Sequence, residues 1–141
     1  MPKTILAIFA SVILNVSAAY SDTALTNDEQ CLAMTIYYES RGEILAGQYA
    51  VADVVLNRVE SDRYPNDVCS VITQRNQFHF VPRVPRSNEY WQRSVELARD
   101  ILSNDTFRGI TEGSLFFQRS PRVPPYANER VITIGNHSFF L

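Results

Sequence analysis

Apolar residues recur with helical spacing through the first two thirds of the chain. Ahead of the first such stretch, "TNDEQ" at residues 26–30 reads as a capping box, in which Thr26 accepts from the backbone three residues on and Glu29 reaches back. The helix that follows is predicted over 27–41, with Leu32, Ile36 and Glu39 on one stripe, because spacings of four and three align side chains along one face. Gly42 is its expected stop, through the left-handed conformation that glycine adopts freely. "AGQYAVADVVLNRVES" predicts a second helix over 45–61. Ala50, Val51, Val54, Val55 and Val59 make it apolar around most of its circumference, which marks it as the core helix, and Asp53, Asn57 and Glu60 form the remaining polar strip. A turn at Pro65 leads into a short helix bearing Cys69, and "NQFHFVP" alternates as a brief strand or extended segment closed by Pro82. Ser87 is the expected cap of a helix over 88–103 whose core face uses Trp91, Val95, Ala98 and Ile101 or Leu102.

The period then changes. "GSLFF" after Gly113 is a strand candidate, and "PRVPPYANE" reads as a proline-rich loop. "VITI" and "HSFFL" flank Gly135 and Asn136, a two-residue hairpin turn of the type that begins with glycine. Helices first and strands last predict an α+β fold, a mainly helical lobe with a small antiparallel sheet or hairpin toward the C-terminus.

Residues 1–19 have a separate character. Lys3 precedes a charge-free, mostly apolar run over 4–16, and "SAA" follows, the order of a secretory signal peptide cleaved after Ala18 or Ala19. The run falls short of the roughly 18 apolar residues of a spanning helix. The alternative is an uncleaved anchor, and on either reading membrane contact is confined to this segment. The expectation is therefore an exported protein, periplasmic or extracellular, with a short segment over 20–29 and one domain over 30–141. The 141 residues suit a single domain, and 45% hydrophobic with 20% charged residues is enough to bury a core. A net charge of -2 supplies no basic field, so nucleic acid is not an expected partner. A monomer is expected. Export also changes how Cys31 and Cys69 read: an even pair in an oxidising compartment points to a disulfide, the alternative being two separately buried thiols.

For chemistry, no phosphate-binding loop, dinucleotide fingerprint, zinc-protease helix or nucleophile elbow occurs. Only His79 and His137 are present, without ligand spacing, so neither a metal nor a cofactor is expected. Glu39 is the chemically interesting group. On the apolar stripe it is partly desolvated, and at the end of a helix it meets partial negative charge, both of which raise a carboxyl pKa. A salt bridge with Arg41 or Arg58 would act in the opposite sense, and the pattern alone does not choose between them. Aromatic residues such as Phe78 and Phe116, if exposed in a groove, would suit the flat faces of sugar rings.

The stretch from Cys31 onward carries a resemblance. "YESRGE" at 38–43, Gly47 with Gln48, "AVA" at 50–52, Asn57 with Arg58, then "QF" at 77–78, "FF" at 116–117 and "IGNHSFF" at 134–140 resemble in order and spacing the SleB-type cell wall hydrolase family, the catalytic domain of spore cortex-lytic enzymes. Ser40 stands where the family usually has alanine, and Phe80 where it usually has tryptophan. The resemblance covers residues 30–141 and implies a lysozyme-like fold. It implies an enzyme cutting peptidoglycan glycan strands between N-acetylmuramic acid and N-acetylglucosamine, in the manner of a lytic transglycosylase, with Glu39 as the essential acid. Glu43, Gln77, Phe78, Phe116, Tyr126 and His137 are the substrate-binding candidates. Glu43 is also a candidate second carboxylate, its alternative fate being a salt bridge with Arg58. The competing functions are a hydrolytic muramidase, a phage-type endolysin, and a non-catalytic peptidoglycan-binding protein.

Overall fold

The computed structural model describes residues 23–127 and 129–141; the segment read as a signal peptide lies outside them. Four helices come first, α1 (Asn27–Ser40), α2 (Leu45–Glu60), α3 (Val68–Thr73) and α4 (Glu89–Asn104). Three strands follow, β1 (Phe116–Arg119), β2 (Arg130–Ile134) and β3 (His137–Phe140). They form an antiparallel sheet in the order β1-β3-β2, giving the α+β architecture expected.

The capping box forms as predicted. The Thr26 hydroxyl accepts from Glu29 N at 3.2 Å, and the Glu29 carboxylate accepts from Thr26 N at 2.8 Å. The other end of α1 departs from expectation, because Gly42 is not left-handed. The last-turn carbonyls find partners from side chains instead: Ser40 Oγ donates to Ile36 O and Arg41 Nη1 to Tyr37 O. A tight turn, with Glu43 N donating to Ser40 O at 2.8 Å, then sends the chain directly into α2. α4 begins one residue later than predicted. Asn88 rather than Ser87 caps it, because the asparagine amide can do both jobs there, accepting from Trp91 N while donating to the Tyr37 hydroxyl and Arg86 O.

α2 is the core helix, with residues 47–56 all buried. One side meets α1, α3 and α4, where Leu32, Ile36, Val55, Trp91, Ala98 and Ile101 pack together. Ala50 and Val54 face the sheet and pack on Phe139 of its central strand. The hairpin turns at Gly135, whose φ of +58° suits the glycine-first turn. Any Cβ there would meet the Glu43 carboxylate at 2.5 Å, so glycine also permits the hairpin to approach the start of α2.

Residues 76–82 do not form a strand. Their alternation is ring packing instead: Phe80 stacks on Tyr38, and Phe78 lies over the Arg58 guanidinium.

Asp53 on the polar strip of α2 is fully buried. It accepts from Gly109 N, Thr111 N and Thr111 Oγ1 at 3.0, 3.1 and 2.6 Å and pairs with Arg108, which also reaches Glu60. Asn57 adds bonds to Thr111 Oγ1 and Ser114 O. This network fastens the loop over 105–115 to the core helix and so fixes where β1 starts.

Cys31 and Cys69 form a disulfide tying α1 to α3 across a separation of 38 residues. Replacing both with serine is expected to cost about 3–4 kcal/mol by the loop-entropy relation, read as a lowered denaturant midpoint with a steeper slope, because the uncrosslinked unfolded chain exposes more surface.

Candidate active site

Glu39 lies in the last turn of α1, partly buried beside a cleft of about 480 Å³. Burial raises its carboxyl pKa above the ordinary 4.5, and His79 across the cleft opposes the rise without reversing it. Among the described residues no hydrogen bond or ion pair reaches this carboxyl group, so neither salt bridge considered from the sequence forms. An acid left unpaired in a partly dry setting holds its proton more tightly than one in water.

The cleft brings together most of the predicted residues. Gln77 and Phe78 come from the segment after α3, Phe116 from β1, Tyr126 from the proline-rich loop and His137 from β3, and all five line it with Glu39. Phe116 and Tyr126 pack at 5.1 Å between ring centroids, and Phe78 approaches Phe117, which meets His137 edge-on at 5.3 Å. His137 is buried, and this lowers its pKa despite the opposing pull of Glu43.

Glu43 is placed differently. It lines an adjoining depression of about 350 Å³ that shares Glu39, Arg119 and His137 with the main cleft. Its carboxylate accepts from Asn136 N at 2.9 Å and Asn136 Nδ2 at 3.3 Å, and lies 3.7 Å from His137 Nδ1. The salt bridge to Arg58 does not form, because the hairpin turn supplies backbone and side-chain donors that claim this carboxylate first. Arg58 instead donates from Nε to Leu115 O at 2.7 Å and lies beneath the rings of Tyr64, Phe78 and Phe116.

Several cleft residues escaped the sequence reading. Arg63 and Tyr64 follow α2, Asn76 follows α3, and Gln118 and Arg119 belong to β1, so only the assembled fold brings them together here. For Phe117 and His79 a signal existed, since each adjoins a residue already singled out.

Residues 42–140 match the family described as Cell Wall Hydrolase. The chain belongs to the Cell Wall Hydrolase family. Among curated members, the spore cortex-lytic enzyme of Bacillus subtilis (strain 168) is 30% identical over 134 residues, 92% of this chain and 41% of that protein. The spore cortex-lytic enzyme of Halalkalibacterium halodurans is 50% identical over 58 residues, 41% of this chain and 16% of that protein. The chain thus spans less than half the length of those relatives. A solved structure described as the catalytic domain of the germination-specific lytic transglycosylase SleB from Bacillus anthracis superimposes with a TM-score of 0.65 at 31% identity, covering 85% of this chain and 98% of that domain. The catalytic domain of the Bacillus cereus SleB protein gives the same TM-score at 32% identity, covering 85% and 94%. Glu39 stands just ahead of the residues matched to the family.

Proposed function

We propose that this protein cleaves the glycan strands of peptidoglycan between N-acetylmuramic acid and N-acetylglucosamine as a lytic transglycosylase, with Glu39 as both acid and base. One observation carries the choice of mechanism: among the described residues, Glu39 is the sole carboxyl group lining the main cleft. Glycosidases that hydrolyse by the usual routes need two carboxyl groups, about 5–5.5 Å apart when retaining and about 6.5–9.5 Å apart when inverting. Glu43, the other acid nearby, is engaged by the Asn136 amides.

A transglycosylase needs one acid because the substrate supplies the nucleophile. Protonated Glu39 gives its proton to the glycosidic oxygen as the bond to the muramic C1 breaks, and the N-acetylglucosamine hydroxyl departs. The muramic N-acetyl group supports the cationic centre. The muramic 6-hydroxyl then attacks C1, closing a 1,6-anhydro ring, and its proton returns to the Glu39 carboxylate. No water is consumed, and the enzyme ends as it began. The raised pKa of Glu39 suits this cycle, since a general acid must be protonated before the bond breaks. Gln77, Phe78, Phe116, Tyr126 and His137 would hold the sugars, the rings by stacking on apolar faces and the polar groups by hydrogen bonds.

Export through residues 1–19 completes the reading, and the Cys31–Cys69 disulfide supports an oxidising compartment. Mass spectrometry of fragments released from purified sacculi tests the mechanism. The proposal expects muramic ends lighter by one water, and muramic ends of full mass would assign the protein as a hydrolytic muramidase instead.

A further inference from the structure

The main cleft has the opposite charge sign to the protein. The chain is -2 overall, yet the cleft is lined by Arg58, Arg63 and Arg119 against the single carboxyl group of Glu39. Among the described residues none of the three has an ion-pair partner. The ion pairs among the described residues engage Arg99, Arg108 and His137 only. Arg63 and Arg119 are exposed. Arg58 is 4% exposed, and its buried Nη1 has no hydrogen-bond partner. A guanidinium taken out of water without an opposing charge is costly to keep. Phe116 lies 5.7 Å from the Arg58 guanidinium and 6.0 Å from that of Arg63, so the ring proposed to stack on sugar is bracketed by two cations.

We infer that the cleft selects a glycan by its carboxylates as well as its sugar rings. This rests on the reading of the protein as a cutter of glycan strands and names the feature that separates its substrate from neutral polymers of the same sugars. Stacking rings accept any N-acetylhexosamine, whereas a guanidinium fork matches a carboxylate. In peptidoglycan that carboxylate has two sources. It is the lactyl carboxylate of a muramic unit whose peptide has been removed, or the free carboxylates of an attached stem peptide. Arg63 and Arg119 at the rim make the contact. Arg58, below the rings, adds a fixed positive field that low-dielectric walls concentrate in the cleft.

The test compares initial cleavage rates of the wild-type protein on four preparations of glycan strand. Strands bearing stem peptides and strands stripped of them by an amidase are each used natively and with their carboxylates converted to amides. Native strands are expected to be cut about three- to tenfold faster than their amidated counterparts at low substrate concentration, the combined effect of two exposed charge contacts. The advantage should lie in KM and fade as salt is added. In an Arg63→Ala/Arg119→Ala variant, whose two changes are at exposed positions, the ratio of native to amidated rates should fall toward one. A preference confined to stripped strands identifies the lactyl carboxylate, and one confined to peptide-bearing strands identifies the stem peptide. Equal rates on native and amidated strands would overturn the inference while leaving the proposed activity standing. Failure to cut any of the four would overturn the activity itself, and the inference with it.

Discussion

Glu39→Gln is expected to lose peptidoglycan lysis by about 10²–10⁴-fold, the range over which a positioned proton donor acts, while folding at least as well as the wild type. Glutamine matches glutamate in shape but has no acidic proton to give. The stability half of the prediction follows from the direction of the pKa shift. The folded-state value lies above the ordinary 4.5 because burial disfavours the charged form. The carboxyl group therefore binds its proton more tightly folded than unfolded. Its contribution to stability is fully present below 4.5 and is lost as pH rises through the folded value. Above that folded value the wild type holds a partly desolvated carboxylate that no hydrogen bond or ion pair among the described residues reaches, a burden the amide removes. Melting curves should show Glu39→Gln level with the wild type in acid and more stable than it once the pH exceeds the folded value. Activity of the wild type should fall on the alkaline side, as the donor form is depleted. A purely structural glutamate would behave in reverse, with its substitution lowering the melting temperature and sparing lysis.

Asp53→Ala is expected to destabilise the fold by about 3–5 kcal/mol, because removing one partner from a buried ion pair strands the other and its hydrogen-bond donors. The fully buried carboxylate of Asp53 accepts from two backbone amides and the Thr111 hydroxyl and pairs with Arg108. Truncation leaves each of those groups facing a cavity. Total stabilities of domains this size are about 5–15 kcal/mol, so much of the margin would go. Urea denaturation measures the loss. Should the alanine variant fail to accumulate, Asp53→Asn, which keeps one acceptor, is expected to fold with a smaller deficit. A change below about 1 kcal/mol for alanine would mean that this network contributes no more than an ordinary exposed pair. Because the network fixes the loop leading into Phe116, the same variants should also bind glycan less well.

What the sequence made legible was local. The Thr26 and Glu29 capping box, the all-round apolar α2, the Gly135 turn and the core stripe of α4 are each decided by residues within a few positions of one another. What it hid was decided by distant partners. Asp53 sits on a helix's polar strip and reads as solvated, until Gly109 and Thr111, more than fifty residues later, fold over it. Glu43 and Arg58 look like natural partners fifteen residues apart, but Asn136 and Leu115 reach them first. Phe78 and Phe80 alternate as in a strand, yet pair with rings and a guanidinium rather than with another strand. The cleft belongs to this second class. Its members come from α1, α2 and the turn after it, the turn after α3, β1, the proline-rich loop and β3, and only the resemblance joined Glu39 to Phe116 and His137 before the fold did. Of the arginines that give the cleft its charge, Arg58 stood within the resemblance and Arg119 had no such guide.

The most direct test is a titration of the Glu39 carboxyl carbon, followed by NMR in glutamate-labelled protein and assigned by its absence in Glu39→Gln. A midpoint above 4.5 is predicted, from burial that outweighs the influence of His79. A midpoint at or below 4.5 would contradict the account, since the group would then be ionised before it could donate.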